Sequence, residues 1–249
     1  GKNSMQLPKN LSSPQDFPVL DSRPLHPMDF KVALIRLCDP RLACPVYSTL
    51  SSFIAGMKEC SRKIQQELEA QEAESGHLPQ RQPLLIDYRT IPFSGLEVIN
   101  DHQFKLILSR KYPQALYWLA MHFFAPMPWE ALEFYHLAPV IDSGLSLKNW
   151  PVGSGPYLLE EMNPAVRMRL AKNPNFRKEF WDGAPGQALP FTEQIIFQYE
   201  REAIPNWIKF NQGYYDTSGI PSDMLDAATA FNSSGELALS QEMQERGML

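Results

Sequence analysis

Gly153-Ser154-Gly155-Pro156-Tyr157 opens a stretch in which apolar and polar side chains alternate, and Asn173-Pro174-Asn175-Phe176 follows it. The two glycines permit a close backbone approach, the proline fixes the chain direction, and the tyrosine starts a strand with an amphipathic ring. Onward from Tyr157, Val166, Met168 and Leu170 alternate with Arg167, Arg169 and Ala171 beyond a turn signal at Asn163-Pro164. That pattern predicts a β-hairpin over 157–170 with one face buried and the other wet.

Working outward, Phe191, Glu193, Ile195, Phe197 and Tyr199 alternate with Thr192, Gln194, Ile196 and Gln198, which predicts a further strand. Residues 96–108 predict another hairpin, turning at Asn100-Asp101, with Phe104, Leu106 and Leu108 facing one way and Ile107 the other. Between these lie helical spacings. Phe30, Ala33, Leu34 and Leu37 predict a helix that ends before Pro40, with Asp29 as N-cap. Phe53, Ile54, Met57, Ile64 and Leu68 fit one face of a helix starting near Ser51, its other face carrying Lys58, Glu59, Arg62 and Lys63.

Residues 113–124 are apolar nearly all round and predict one helix buried on several sides, broken by Pro126 and Pro128, with a short helix restarting at 129–136. Pro205 suits the first turn of a helix that Gly213 ends. Residues 76–83 read as a loop. Leu237, Leu239 and Met243 resume a short amphipathic pattern after a turn-rich stretch. Hairpin-paired strands interspersed with helices predict a mixed α/β (α+β) domain with a largely antiparallel sheet.

With 249 residues, 44% of them apolar, the chain is long enough to bury a substantial core. A net charge of −5 argues against nucleic acid as main partner, since phosphate binding needs a basic stripe. The longest apolar run, 115–125, is interrupted by Tyr117, Trp118 and His122 and is too short to cross a bilayer. The N-terminal residues 1–27 are proline-rich without an apolar block, so they do not form a secretory signal. Three cysteines, Cys38, Cys44 and Cys60, leave a thiol over whichever two pair; free buried thiols, a Cys38–Cys44 bridge and a Cys44–Cys60 bridge are all compatible with the spacing.

Chemistry-bearing patterns are sparse. His26, His77, His102, His122 and His136 lie far apart and form no metal-ligand spacing. Ser154 misses the nucleophile-elbow pattern because Val152 occupies its first glycine position, and neither phosphate-cradling glycine motif is present. Neither Glu130 with Glu133 nor Glu160 with Glu161 makes an acid/base pair by spacing. No catalytic residue, metal or cofactor is therefore expected. Aromatic residues crowd positions 112–135, as core or as the wall of a ligand cleft. Two other functions stay open: a hydrolase with dispersed residues, His122 acting with Glu130 or Glu133, and an interaction module docking through the charged helix around 58–72.

The order of motifs carries more than any one of them. The pentapeptide at 153–157, the Asn173-Pro174-Asn175-Phe176 stretch and Tyr112-Pro113-Gln114-Ala115-Leu116-Tyr117-Trp118-Leu119-Ala120 together resemble family 5 extracellular solute-binding proteins, the dipeptide and oligopeptide receptors of ABC importers. Asp29-Phe30-Lys31-Val32-Ala33-Leu34, Ala125-Pro126-Met127-Pro128-Trp129 and Lys209-Phe210-Asn211-Gln212-Gly213-Tyr214-Tyr215-Asp216 are similar to further segments of that family. The resemblance implies a lobe of the type II periplasmic-binding-protein class, periplasmic or extracellular, whose partners are a peptide or related solute and a membrane permease. It implies no enzyme and no cofactor.

Family members close two lobes over their cargo. On that pattern, 28–215 is expected to form a solute-binding lobe and 216–249 a crossover into an incomplete second lobe, behind a flexible segment at 1–27. Gly153, Ser154, Gly155 and Tyr157 are the candidates for the cleft rim, because a loop before a strand can offer free backbone amides. Trp118 and His122 are candidates for its wall.

Overall fold

The computed structural model describes Asp16 and residues 22–75, 84–183 and 186–248. The expected flexible segment at 1–27 falls mostly outside the described residues, and the expected loop at 76–83 falls wholly outside them. Two compact units are formed, one by Gly1–Met162 with Leu170–Ile195 and the other by Asn163–Arg169 with Ile196–Leu249.

The first unit is built on helix α1 (Pro27–Leu37). His26, not Asp29, is its N-cap: the His26 ring accepts from the Met28 amide at 3.0 Å, while Asp29, at the third helical position, accepts from the His26 amide at 2.9 Å. Proline at the first helical position moves the start upstream of Asp29, and the two side chains then satisfy the first-turn donors reciprocally. Val32, Ala33, Leu34 and Ile35 are all buried, so this helix is covered on most of its circumference.

The short helix α2 (Tyr47–Leu50) leads to α3 (Met57–Ser75), which begins later than its apolar spacing predicts. Gly56 sits at φ +73°, a left-handed conformation in which a Cβ would meet the Ser94 hydroxyl at 2.3 Å. That break leaves Phe53 and Ile54 in the preceding turns, and Ile54 forms an isolated antiparallel bridge with Leu108. All five expected core positions are nonetheless buried, joined by Ile91, Phe93 and Leu96.

The expected hairpin forms from β1 (Leu96–Asn100) and β2 (Gln103–Leu106), with Leu96 opposite Leu106 and Val98 opposite Phe104. The stretch predicted as one buried helix does not form one. It breaks into α4 (Ala115–Leu119) and a 3₁₀ turn at His122–Phe124, and Leu116 and Tyr117 are 76% and 75% exposed. Apolar residues all round set no preferred face, and only Phe124 among them finds full burial. Helices α5 (Trp129–Tyr135) and α6 (Ala138–Asp142) follow, with Ala131, Tyr135, Val140 and Leu145 in a small cluster of their own. The Tyr135 hydroxyl donates to the Trp150 carbonyl at 2.7 Å, and burial pushes its pKa up to about 12.

Strands β3 (Tyr157–Asn163), β4 (Arg167–Lys172) and β5 (Gln194–Gln198) form a three-stranded sheet with β4 central. The Lys172 amide donates to Glu193 and the Tyr199 amide to Val166, an antiparallel register. The hairpin turns at Asn163–Val166 as expected, but no residue of the three strands is buried, so the expected dry face is absent among them.

In the second unit, α7 (Ala203–Asn211) is ended by Gly213 at φ +81°, whose amide bonds Phe210 while the Tyr214 amide bonds Lys209. That is the Schellman closure, and it needs a residue free to adopt positive φ. Helix α8 (Leu225–Ala228), the antiparallel pair β6 (Thr229–Phe231) and β7 (Leu237–Leu239), and α9 (Gln241–Glu245) complete it. Leu237 and Leu239, expected in one amphipathic pattern with Met243, are thus strand residues, while Met243 joins Trp207 and Ala228 in the core of this unit.

Past the C-terminal end of α1, Asp39 is 2% exposed and accepts from Arg41 (Nη2 at 2.6 Å, Nε at 3.0 Å), the Arg41 amide and the Tyr88 hydroxyl at 2.7 Å. Burial pushes the Asp39 pKa up, but the Arg41 and Tyr88 hydrogen bonds outweigh it and leave it below the ordinary carboxylate value. A depressed folded-state pKa stabilises above the unfolded value, about 3.9, and that stability is lost as pH falls through the folded value. Chemical unfolding should therefore show stability falling below pH ~4. Tyr88→Phe, which strips one bond from a charged acceptor, should cost about 1.5–3 kcal/mol at neutral pH. Asp39→Ala should cost about 3–5 kcal/mol by leaving the guanidinium unpaired.

Candidate functional site

The rim candidates are held by the second motif that follows them in sequence. Asn173 is 7% exposed; its side-chain amide donates to the Gly155 carbonyl at 2.8 Å, its backbone amide to Pro156 at 2.9 Å, and its side-chain oxygen accepts from the Asn175 amide at 2.9 Å. An asparagine before proline turns its own chain and leaves its NH₂ free to grip another, which joins these two short motifs here. Tyr157 adds a second tie, its hydroxyl donating to the Thr192 carbonyl at 2.9 Å.

Between these anchors, Gly153 and Ser154 are exposed and Gly155 is half-buried. A Cβ on Gly153 or Gly155 would meet nothing within 4 Å, and neither has a positive φ. The close approach expected from the glycines is therefore not to any part of this chain among the described residues. Among the described residues, the amides of Gly153, Ser154 and Gly155 donate to no protein acceptor, so this candidate loop presents three open donors.

Trp118 and His122 belong to another cluster. The Trp118 indole donates to the Tyr112 hydroxyl at 3.2 Å and its ring lies 6.4 Å from Phe53 and 6.0 Å from Phe123. His122 is exposed and meets the Phe123 ring edge-on at 5.6 Å. No hydrogen bond or ring contact joins this cluster to the rim among the described residues. Nearby, Phe30, Leu34, Leu96, Phe104, Leu106, Leu119 and Phe124 line an apolar cavity of about 110 Å³.

The carboxylates that a hydrolase reading would give to His122 are taken by arginines. Arg23 bonds Glu130 at 2.6 Å and the buried Asp29 at 2.7 Å, with its guanidinium carbon 4.3 Å from the Trp129 ring centre. Arg89 bonds Glu133 at 2.5 Å and Asp87 at 2.8 Å, and its guanidinium carbon lies 5.6 Å from the same Trp129 ring centre. Bonding to Arg23 holds the Glu130 carboxyl below its ordinary range. Sequence reading missed this group: Asp29, Glu130 and Trp129 were visible as cap, pair and aromatic turn, but Arg23 and Arg89 carry no local signal. On α3, Ile64 and Leu68 face the core, and the exposed face is tied up in local pairs such as Gln65 with Glu69 at 2.8 Å. No group of residues suited to a metal ion is found among the described residues.

The arrangement offers backbone donors, an apolar cavity and aromatic faces, and it assembles no nucleophile with a base. The model of the bacterial extracellular solute-binding proteins, family 5, matches residues 21–243. No curated protein matches the chain. Among solved structures, the chain is similar in fold to the Haemophilus influenzae OppA complex with the peptide RPPGFSPFR (16% identity, TM-score 0.54, 82% of this chain and 33% of that one). It is similar to the Escherichia coli murein tripeptide binding protein MppA (16%, 0.56, 82% and 33%) and to Listeria monocytogenes OppA bound to peptide (14%, 0.55, 85% and 36%). The chain thus spans about a third of the length of the structures it matches. With the mixed α/β fold and the largely antiparallel strand pairing in agreement, the match over residues 21–243 makes this chain a member of the family 5 bacterial extracellular solute-binding proteins.

Proposed function

We propose that this chain is part of the substrate-binding component of an ABC-type importer, holding a peptide or related small solute by closure of two lobes and passing it on to a membrane permease. The family match over residues 21–243 is the observation that carries this reading. Supporting it, two of the neighbours in fold are complexes with peptide and one other is an unliganded open form. Such a protein works outside the cytoplasmic membrane; no helix among the described residues is long and apolar enough to cross one. Residues 28–215 supply the solute-binding lobe in this reading, and 216–249 lead into the second.

Gly153, Ser154 and Gly155 form the rim by offering amides to the backbone carbonyls or carboxylate of an extended ligand, as peptide-binding proteins that recognise main chain do. Tyr157 fixes the far end of the loop, and Trp118 and His122 belong to an aromatic wall that tolerates varied side chains. Enclosure excludes water and strengthens each of those bonds.

Calorimetric titration with a peptide mixture, on a receptor of the relatives' full length that carries this chain, should give saturable heat. No heat with any peptide would remove peptide binding. In the same receptor, Gly153→Val should weaken binding by about tenfold, equivalent to about 1.4 kcal/mol. Because the added side chain meets empty space within this chain, the melting temperature should hold within about 2 °C. Unchanged affinity would take Gly153 off the rim. Asn173→Ala, by contrast, should lower stability by about 1–3 kcal/mol, since it leaves the Gly155 carbonyl and the Asn175 amide without their partner.

A further inference from the structure

Spacing alone left three states open for the cysteines, and both bridges it allowed used Cys44. The fold brings a different pair together. Cys38 caps the C-terminal end of α1 and Cys60 lies in the first turn of α3, two helices that pack on each other. They are 1% and 0% exposed and belong to one core cluster, from which the half-buried Cys44 is absent. The Cys38 thiol donates to the Leu34 carbonyl at 3.5 Å, and Cys60 is the neighbouring thiol that acts on it most strongly.

We propose that Cys38 and Cys60 are a disulfide-forming pair, joined when the chain folds under oxidising conditions, with Cys44 left as the free thiol. The neighbouring Cys60 and burial both push the Cys38 thiol far above its ordinary pKa, so in the closed core it is a poor nucleophile. The bond therefore forms while α1 and α3 are docking, before the core excludes the oxidant. Its chemistry is exchange with a small disulfide such as oxidised glutathione. One protein thiolate attacks a glutathione sulfur and releases one glutathione; the second displaces the other, so two electrons and the two thiol protons end on two glutathione thiols and one S–S bond joins α1 to α3. The proposal is independent of the solute-binding reading, because it concerns core thiols and no ligand.

The chain is refolded with oxidised and reduced glutathione, then thiols are counted in denaturant and the protein is digested with trypsin without reduction. The three cysteines fall on separate tryptic peptides, 37–41, 42–58 and 59–62. The expected result is one remaining thiol and a linked species of 37–41 with 59–62. The loop closed is about 22 residues, so the oxidised form should melt roughly 5–10 °C above the reduced one. Cys44→Ser should keep both the linked species and the melting shift, and Cys60→Ser should lose both. Three titrating thiols, or a linked species containing 42–58, would overturn the assignment.

Discussion

Helix α1 is held at both ends by a buried carboxylate in an arginine fork, and the rest of the first unit is placed against it. At the start, Asp29 joins Arg23 and, through it, Glu130 of α5; past the end, Asp39 joins Arg41 and Tyr88. Buried ion pairs hold position when their remaining lone pairs are filled, and both are: Asp29 also takes the His26 amide, Asp39 the Arg41 amide. Between these clamps the helix packs on β1, on α3 and on the 3₁₀ turn at His122–Phe124, and the Asp29 carbonyl accepts from Met127 at 3.1 Å. The aromatic segment around Trp118 and His122 is thereby located by α1, although none of its own residues signals where it docks.

What could be read from the sequence was what local chemistry decides. Alternation and turn residues gave the hairpins at 96–106 and 157–172, and Gly213 gave the end of α7, because a Schellman closure is specified within a few residues. The errors came where a distant group intervened. Gly56 breaks the predicted helix because Ser94, far along the chain, leaves no room for a Cβ. The apolar run at 113–124 has no polar stripe to orient it, and only part of it finds a partner.

The candidate site follows the same rule. Both of its motifs stood out in sequence, yet the bond that makes them one object, Asn173 to the Gly155 carbonyl, crosses 18 residues. The glycines at 153 and 155 looked like an internal close approach, whereas their Cβ positions face empty space. Arg23 and Arg89 converge on Trp129 only after α1 and α5 are packed. Likewise Cys38 and Cys60 share one core cluster because α1 and α3 pack on each other, a fact of helix packing that residue spacing does not contain.

Taken together, the described residues present donors on a braced loop and a cluster of aromatic rings, with Glu130 and Glu133 already committed to arginines. In the proposed reading this surface grips its cargo by enclosure, and enclosure requires a change of shape when cargo binds. Small-angle X-ray scattering of a receptor of the relatives' full length that carries this chain tests that most directly. The radius of gyration should contract on saturation with a bound peptide, and an unchanged radius at demonstrated saturation would contradict capture by closure.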